Sequence, residues 1–175
     1  MPDAAATLRV GEALAGGVAA GRVLHLRGEL GTGKTTVVRG LLRGLGFTGR
    51  VKSPSYALVE PYSISRLNLY HFDFYRFKDR TEWLSSGFRE YFNADSVCLI
   101  EGPERAGTLL APPDLELALE FAGEARRAIL QSHSRTGELW LFPSCLVHSE
   151  RRSTGPLQPH LAGARLHALD TRIQE

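Results

Sequence analysis

The eight residues 28–35 constrain this chain more than any other feature of its sequence. They read Gly-Glu-Leu-Gly-Thr-Gly-Lys-Thr, which fits the pattern Gly-x-x-x-x-Gly-Lys-[Ser/Thr]. The apolar residues 23–26 before them are typical of a buried strand, and residues 35–45 after them carry apolar side chains at helical spacing. Glycines let several backbone N–H groups converge on one point, and the positive end of the helix faces the same point. The sequence therefore predicts a loop that binds phosphate groups.

The positions of this loop have different expected roles. We predict that Lys34 reaches the outer phosphates of a nucleotide and that the hydroxyl group of Thr35 binds magnesium. The residues predicted to bind the nucleotide are Glu29, Leu30, Gly31, Thr32, Gly33, Lys34, Thr35 and Thr36.

A magnesium nucleotide site also needs carboxylates, usually at strand ends beside the loop. Glu101 directly follows the apolar residues 97–100, and Asp73 lies within residues 68–75, whose alternation predicts a strand. We expect both acids at the site, and for Asp73 this expectation rests mainly on the family resemblance given below. The alternatives are that Glu101 is a solvent-facing acid behind a buried strand and that Asp73 caps a neighbouring turn.

The segment Ser53-Pro54-Ser55-Tyr56 is a hydroxyl-rich, extended loop. A loop of this kind can close onto the γ-phosphate and magnesium as a switch segment does. Ser-Pro is also an ordinary turn former, so composition alone leaves both interpretations open.

The remaining patterns alternate short helices with short strands. Thr7 is predicted to cap a first helix that ends near residue 15, and Thr81 a short helix near residue 82. Residues 88–92 also suggest a short helix, residues 57–59 and 115–121 suggest strands, and residues 125–130 fit either a strand or a helix. We expect an α/β fold, a three-layer domain like that of P-loop nucleotide hydrolases with a mostly parallel central sheet.

Length and composition set the domain organisation and the class of protein. The chain has 175 residues, 43% of them apolar, and a net charge of +2 that is too small to indicate nucleic-acid binding. No apolar run approaches a membrane span and no secretory signal is evident, and the two cysteines suit a reducing cytoplasm without indicating a metal site. Four of the six histidines and scattered polar residues follow residue 130. We therefore expect an ATPase-type domain over 1–130 and an extension of unknown role, small or largely disordered, over 131–175.

Missing motifs narrow the class further. The chain has neither the Asn-Lys-x-Asp of the GTPases nor the Leu-Ser-Gly-Gly-Gln of transporter-type ATPases. A small-molecule kinase usually needs an arginine-rich lid, for which Arg76, Lys78 and Arg80 are candidates, although they follow a strand.

Taken together, the motifs resemble the bacterial TsaE (YjeE) ATPase family. The residues that carry the resemblance are the phosphate loop at 28–36, Ser-Pro-Ser-Tyr at 53–56, Leu-Tyr-His-Phe-Asp-Phe-Tyr-Arg at 69–76 and Ile-Glu-Gly-Pro-Glu-Arg at 100–105. The third motif matches the family pattern in full. The resemblance covers about two-thirds of the chain, and nothing after residue 130 matches. Within the motifs, Ser55 replaces a threonine and Gly102 replaces a tryptophan beside the acid.

The resemblance implies an activity and partners. The protein would bind and slowly hydrolyse ATP with Mg²⁺, using Asp73 and Glu101 as catalytic residues and Thr35, Ser55 and Glu101 as metal ligands. It would support threonylcarbamoyladenosine modification of transfer RNA in the cytoplasm as partner of a TsaD-type transferase and a TsaB-type protein, and it would meet tRNA only through that complex. The alternatives are a small-molecule kinase and a nucleotide-binding adaptor that does not hydrolyse ATP.

Overall fold

Among the described residues, six strands form one mixed sheet whose four central strands are parallel. The computed structural model describes residue 1, residues 3–54 and residues 56–142. The sheet order is β2-β3-β4-β1-β5-β6, and the two edge strands β2 and β6 pair antiparallel with their neighbours. The strands are β1 Arg22–Arg27, β2 Val59–Ile64, β3 Leu67–Asp73, β4 Ser96–Glu101, β5 Leu115–Ala122 and β6 Ala125–Ser132. The α/β class is confirmed, and the parallel character belongs to the centre of the sheet.

The helices are short apart from the first two. They are α1 Ala4–Ala15, α2 Lys34–Gly44, α3 Arg80–Ser85, α4 Pro103–Ala106 and α5 Arg135–Leu141, with 3-10 turns at Phe74–Arg76, Phe88–Tyr91 and Gly107–Leu109. Among the described residues, no helix has the length and apolar character needed to cross a membrane.

Strand β4 shows why the fold has three layers. All six of its residues are buried, and successive side chains of a strand point to opposite faces of the sheet. Val97 and Leu99 belong to the core beneath α1 and α2. Cys98 and Ile100 belong to a second core on the other face, which is mainly aromatic and includes Phe72, Phe74, Trp83 and Phe88. The three-layer prediction is therefore confirmed.

Two glycines bring α1 and α2 into close contact. A Cβ atom on Gly11 would overlap the carbonyl oxygen of Val37, and one on Gly40 would overlap that of Leu8. The helices therefore pack backbone against backbone, which fixes α2, and with it the phosphate loop, against α1.

Several predicted boundaries shift for physical reasons. The N-cap of α1 is Asp3, whose carboxylate accepts a hydrogen bond from the Ala6 N–H at 2.7 Å, so the prediction of Thr7 was wrong. Asp79 likewise caps α3 in place of Thr81. The strand predicted over residues 57–59 overlaps β2 only at Val59, where β2 begins. Strand β2 continues to Ile64 through Pro61, which an edge strand tolerates because one side of it needs no hydrogen-bond donor.

The described chain continues past residue 130 as part of the same domain. Strand β6 pairs with β5 as far as Ser132, and α5 follows. Trp140 of α5 is 2% exposed and its indole Nε1 donates to the carbonyl oxygen of Leu14 at 2.9 Å. Residues 131–142 of the expected extension therefore pack on the core, while residues 143–175 lie outside the described residues.

Candidate functional site

The predicted site residues meet at the carboxyl ends of three parallel strands. Strand β1 leads into the phosphate loop, and the backbone register places Leu26 beside Glu101 and Glu101 beside Asp73. A cleft of about 610 Å³ opens at this edge. Its lining residues are Leu30, Gly31, Gly33, Lys34, Thr35, Thr36, Ser53, Asp73, Tyr75, Arg76 and Glu101.

The glycines of the loop adopt backbone angles that other residues avoid. Gly28, Gly31 and Gly33 have φ values of 132°, 82° and 105°. A Cβ atom on Gly28 would also overlap the carbonyl oxygen of Leu119 on β5. The loop therefore keeps its course only with glycine at these positions, and that course leaves Gly31 and Gly33 facing the cleft.

The predicted nucleotide-binding residues do not all face the cleft. Leu30 lines it with an 82% exposed side chain, and Thr36 also lines it. Thr32 is buried instead, and its hydroxyl donates to the carbonyl oxygen of Glu29 at 2.9 Å. The Thr32 hydroxyl and the Glu29 carbonyl oxygen therefore stabilise the loop, while Glu29 itself is exposed.

Lys34 is folded back onto the loop that it follows. Its Nζ donates to the carbonyl oxygens of Gly28 at 2.8 Å and Glu29 at 2.7 Å, and it lies 4.6 Å from the centre of the Tyr75 ring. Burial lowers the pKa of Lys34, while the nearby carboxylates, Glu101 foremost, act in the opposite direction. The ammonium group is thus surrounded by acceptors that a phosphate group can replace.

Glu101 joins the loop to the neighbouring strand through one oxygen atom. Its Oε1 accepts from the Thr35 hydroxyl at 2.8 Å and lies 2.8 Å from His71 Nε2. A carboxylate accepts hydrogen bonds, so His71 Nε2 is placed to donate to Glu101. Glu101 is only 3% exposed, which excludes the alternative that it is simply a solvent-facing acid.

His71 was not among the predicted site residues. It is fully buried, and its Nδ1 has no hydrogen-bond partner among the described residues. The alternation in β3 was the available signal, because residues two apart share a face and Asp73 follows two positions later.

Asp73 both lines the cleft and organises the segments beside it. Its Oδ2 accepts from the Ser53 hydroxyl, and its Oδ1 accepts from the Tyr75 N–H at 3.0 Å. The second contact caps the 3-10 turn Phe74–Arg76, so the structural alternative considered for Asp73 holds alongside its position in the cleft. Ser55, predicted as a metal ligand, lies outside the described residues.

Tyr75 is a second residue that was not predicted. Its hydroxyl donates to the carbonyl oxygen of Gly28, and burial foremost raises its pKa to about 12. A Cβ atom on Gly102 would lie 3.3 Å from the Tyr75 ring, and Gly102 has a φ of 66°. The backbone at position 102 therefore favours glycine in this chain, although the motif that it resembles has tryptophan there.

The donor set suits a hard cation held jointly with phosphate oxygens. The Thr35 hydroxyl and the Glu101 carboxylate are oxygen donors at hydrogen-bond distance from each other, and oxygen is the ligand that Mg²⁺ prefers. Within the described ranges, no group of three or more His, Cys, Asp and Glu residues could hold a metal ion. A cation here would take its remaining ligands from phosphate and water, as nucleotide-bound magnesium does.

Known proteins match most of this chain. The family model described as "Threonylcarbamoyl adenosine biosynthesis protein TsaE" matches residues 1–129. The tRNA threonylcarbamoyladenosine biosynthesis protein TsaE of Haemophilus influenzae is 43% identical over 116 residues, which are 66% of this chain and 73% of that protein. The Bacillus subtilis protein of the same name is 40% identical over 109 residues, 62% of this chain and 68% of that protein.

A solved structure supports the same relationship. The crystal structure of Bacillus subtilis YdiB superposes with a TM-score of 0.69 at 28% sequence identity. The match covers 83% of this chain and 90% of that chain, so it includes the central sheet together with most of its flanking elements.

Proposed function

This chain belongs to the TsaE family, and we propose that it acts in threonylcarbamoyladenosine biosynthesis as a P-loop ATPase that slowly hydrolyses Mg-ATP. The observation that carries the proposal is the contact of 2.8 Å between the Thr35 hydroxyl and the Glu101 carboxylate, in the cleft that Lys34 also lines. This is the combination of loop lysine, loop hydroxyl and strand-end acid that a magnesium nucleotide site requires.

Each residue has a role that follows from its contacts. Lys34 exchanges the loop carbonyl oxygens for phosphate oxygens, because its ammonium group already lies among acceptors. Thr35 and Glu101 would hold Mg²⁺, with Ser55 as a further hydroxyl ligand. The bound ion would supply charge neutralisation on the phosphates. His71 fixes the Glu101 carboxylate through the Nε2 contact of 2.8 Å, and Asp73 orders the Ser53 segment beside the phosphates.

The chemistry of the site also indicates which step of the modification this protein would leave to its partners. The cleft offers groups suited to phosphate and metal, so we assign the carbamoyl transfer to a TsaD-type transferase with its TsaB-type companion. ATP hydrolysis by this protein would reset that transferase between rounds in the cytoplasm, and tRNA would be met only through the complex.

The first test of the proposal is Lys34→Ala, which removes the ammonium group from the loop. We expect Mg-ATP binding to weaken by at least about a hundredfold, since charge-assisted hydrogen bonds to phosphate are lost. Calorimetry with Mg-ATP measures this, and Lys78→Ala, an exposed lysine outside the cleft, is the control. Unchanged affinity in Lys34→Ala would show that the loop does not bind the phosphates.

The second test separates the ATPase from its alternatives. Phosphate release is measured with and without the transferase partners, and common metabolites are tested as acceptors. Free phosphate without a phosphorylated acceptor supports the ATPase. A phosphorylated metabolite would indicate a kinase, and ATP binding without release under either condition would indicate an adaptor.

A further inference from the structure

Arg76 is a cation of the cleft that the proposed function leaves unused. It is exposed and lines the cleft together with Lys34 and the two acids. Within the part of the chain that the structure describes, its guanidinium group forms no salt bridge with a carboxylate. It lies instead over the face of the Tyr56 ring, 5.0 Å from the ring centre. The positive charge beside the phosphate loop is therefore not neutralised by an acid paired with it.

The backbone that carries Arg76 is firmly held. Arg76 ends the 3-10 turn Phe74–Arg76, which Asp73 caps through the Tyr75 N–H at 3.0 Å. Phe74 before it is fully buried and Phe77 after it is 8% exposed, and the Phe77 N–H donates to the Phe74 carbonyl oxygen at 3.0 Å. Two buried rings thus fix the turn on either side, and the long arginine side chain is the part that can move.

The segment that carries Tyr56 is tied to the same aspartate. The Leu58 N–H donates to the Pro54 carbonyl oxygen at 2.8 Å, and the Asp73 N–H donates to the Leu58 carbonyl oxygen at 3.0 Å. Ser53 also contacts Asp73 through its hydroxyl. Asp73 therefore places Tyr56 and Arg76 beside each other, and the Tyr56 side chain is 91% exposed.

The contact with Tyr56 is one that Arg76 can leave. A cation–π contact at an exposed site is weak. A guanidinium group forms paired, charge-assisted hydrogen bonds with phosphate oxygens, which its planar fork matches. When the γ-phosphoryl group is transferred, negative charge spreads over its oxygens, and an arginine aimed at them stabilises the transition state.

We propose that Arg76 is a catalytic residue of this site, whose guanidinium group leaves the Tyr56 ring and donates hydrogen bonds to the γ-phosphate of bound ATP. The inference rests on the proposed ATPase activity. In the step itself, the oxygen of a water molecule bonds to the γ-phosphorus and the bond from that phosphorus to the β–γ bridging oxygen breaks. ADP and inorganic phosphate form, the proton of the water passes to phosphate or solvent, and Arg76 keeps its own protons.

The experiment compares Arg76→Gln and Arg76→Lys with Arg89→Gln in the full chain. Arg89 is a matched control, because it is an exposed arginine in another 3-10 turn, Phe88–Tyr91, and does not line the cleft. Single-turnover phosphate release from Mg-ATP, affinity for Mg-ADP, and binding of ADP with aluminium fluoride as a transition-state analogue are measured. Thermal melting monitors the fold.

We expect Arg76→Gln to slow phosphate release at least about tenfold, below the full effect of arginine fingers in other nucleotide hydrolases. Binding of the aluminium fluoride complex should weaken by a similar factor. Affinity for Mg-ADP should stay within about twofold, because ADP lacks the γ-phosphate that Arg76 contacts. Arg76→Lys should keep part of the activity, since it preserves the charge and loses the fork.

Three further outcomes test the role of Arg76. Tyr56→Leu should retain hydrolysis, and a loss equal to that of Arg76→Gln would overturn the proposal in favour of a structural role for the pair. Wild-type phosphate release by Arg76→Gln, in a preparation whose wild-type protein hydrolyses ATP, would also overturn it. If the wild-type protein releases no phosphate even with its partners, the proposed ATPase activity is rejected. The role of Arg76 is then rejected as well, because it depends on that activity.

Discussion

At the scale of single residues, Glu101 concentrates several constraints on one carboxylate. It ends a fully buried strand, lies in register with both Leu26 and Asp73, and accepts from Thr35 and His71 on the same oxygen atom. Such an acid is held in one orientation before any ligand arrives, which is what a catalytic or metal-binding carboxylate needs. Both hydrogen bonds are accepted by an oxygen atom, so an uncharged side chain of the same shape with an oxygen at this position can still accept them.

The substitution Glu101→Gln removes the negative charge and keeps the shape of the side chain. An amide oxygen can still accept from Thr35 and His71, so we expect the folded structure and ATP binding to be retained. If the proposed function holds, phosphate release should fall at least about tenfold, because the negative charge that would serve the metal or the attacking water is lost. Phosphate-release kinetics measure the effect, and Glu104→Gln is the control because that acid is exposed and pairs with Arg27 at 3.5 Å. Normal release by Glu101→Gln would return this residue to a structural role.

His25 gives a prediction about stability and pH. It is 4% exposed, neither ring nitrogen has a hydrogen-bond partner among the described residues, and burial foremost lowers its pKa from 6.5 to about 4. The folded protein therefore favours the neutral ring, so its stability is complete above pH 6.5 and falls as the pH drops towards 4.

His25→Leu should remove this dependence. Between pH 7.5 and pH 5, the wild-type protein should lose about 2 kcal/mol more of its free energy of unfolding than the variant does. Urea unfolding at the two pH values measures the difference, and other titrating groups cancel in the comparison. Parallel losses in the two proteins would show that His25 does not titrate during unfolding.

At the scale of elements, the packing of α2 against α1 positions the phosphate loop. The contact depends on glycine, since Gly40 faces the Leu8 carbonyl oxygen with no room for a Cβ atom. Gly40→Ala should therefore push the helices apart and lower the free energy of unfolding by at least about 2 kcal/mol. Urea unfolding measures the loss, and weaker ATP binding should accompany it.

Gly16→Ala is the matched control for that substitution. Gly16 is the C-cap of α1, has ordinary helical backbone angles with φ of −63°, and has open space where an alanine Cβ atom would lie, with no neighbouring atom within 4 Å. The free energy of unfolding should change by less than about 1 kcal/mol. Equal losses from both substitutions would contradict the role assigned to the close contact at Gly40, because helix propensity by itself favours alanine over glycine.

The elements also show what could be predicted from the sequence and what could not. The loop between β1 and α2 was predictable because its signal is local, in a glycine pattern between two apolar segments. The true cap of α1 was missed because Asp3 and Thr7 both fit the local rules, and only the Ala6 N–H contact decides. The antiparallel edges and the His71–Glu101 contact depend on strand register, which single-sequence patterns do not contain.

At the scale of the whole molecule, each face of the sheet supports a different part of the cleft. The face covered by α1, α2 and α5 has a largely aliphatic core that extends to the phosphate loop. Because residues two apart in a strand point to the same face, Asp73 and Glu101 lie on this face together with Leu69 and Leu99. The opposite face is largely aromatic and anchors the turn that carries Arg76. The residues that line the cleft are held by both cores, so the geometry of the cleft depends on both.

Helix α5, the last helix among the described residues, tests this dependence on the whole domain. A chain ending at residue 130 loses part of β6 and all of α5, including the buried Trp140 and its hydrogen bond to Leu14. A chain ending at residue 142 keeps every one of these contacts. We expect the shorter chain to be less stable than the longer one by at least about 3 kcal/mol, the usual cost of removing a buried tryptophan side chain.

Thermal and urea unfolding of the two truncated chains measure the difference, with Trp140→Phe and Trp140→Ala in the full chain as controls. Trp140→Phe keeps an aromatic ring on the core but loses the indole hydrogen bond and some packing volume, so its cost should be about 1–3 kcal/mol. Trp140→Ala should approach the loss seen on truncation at residue 130. Equal stability of the two truncated chains would instead place the end of the folding unit near residue 130. In that case α5 would rest on the core without stabilising it, and ATP binding would survive its removal.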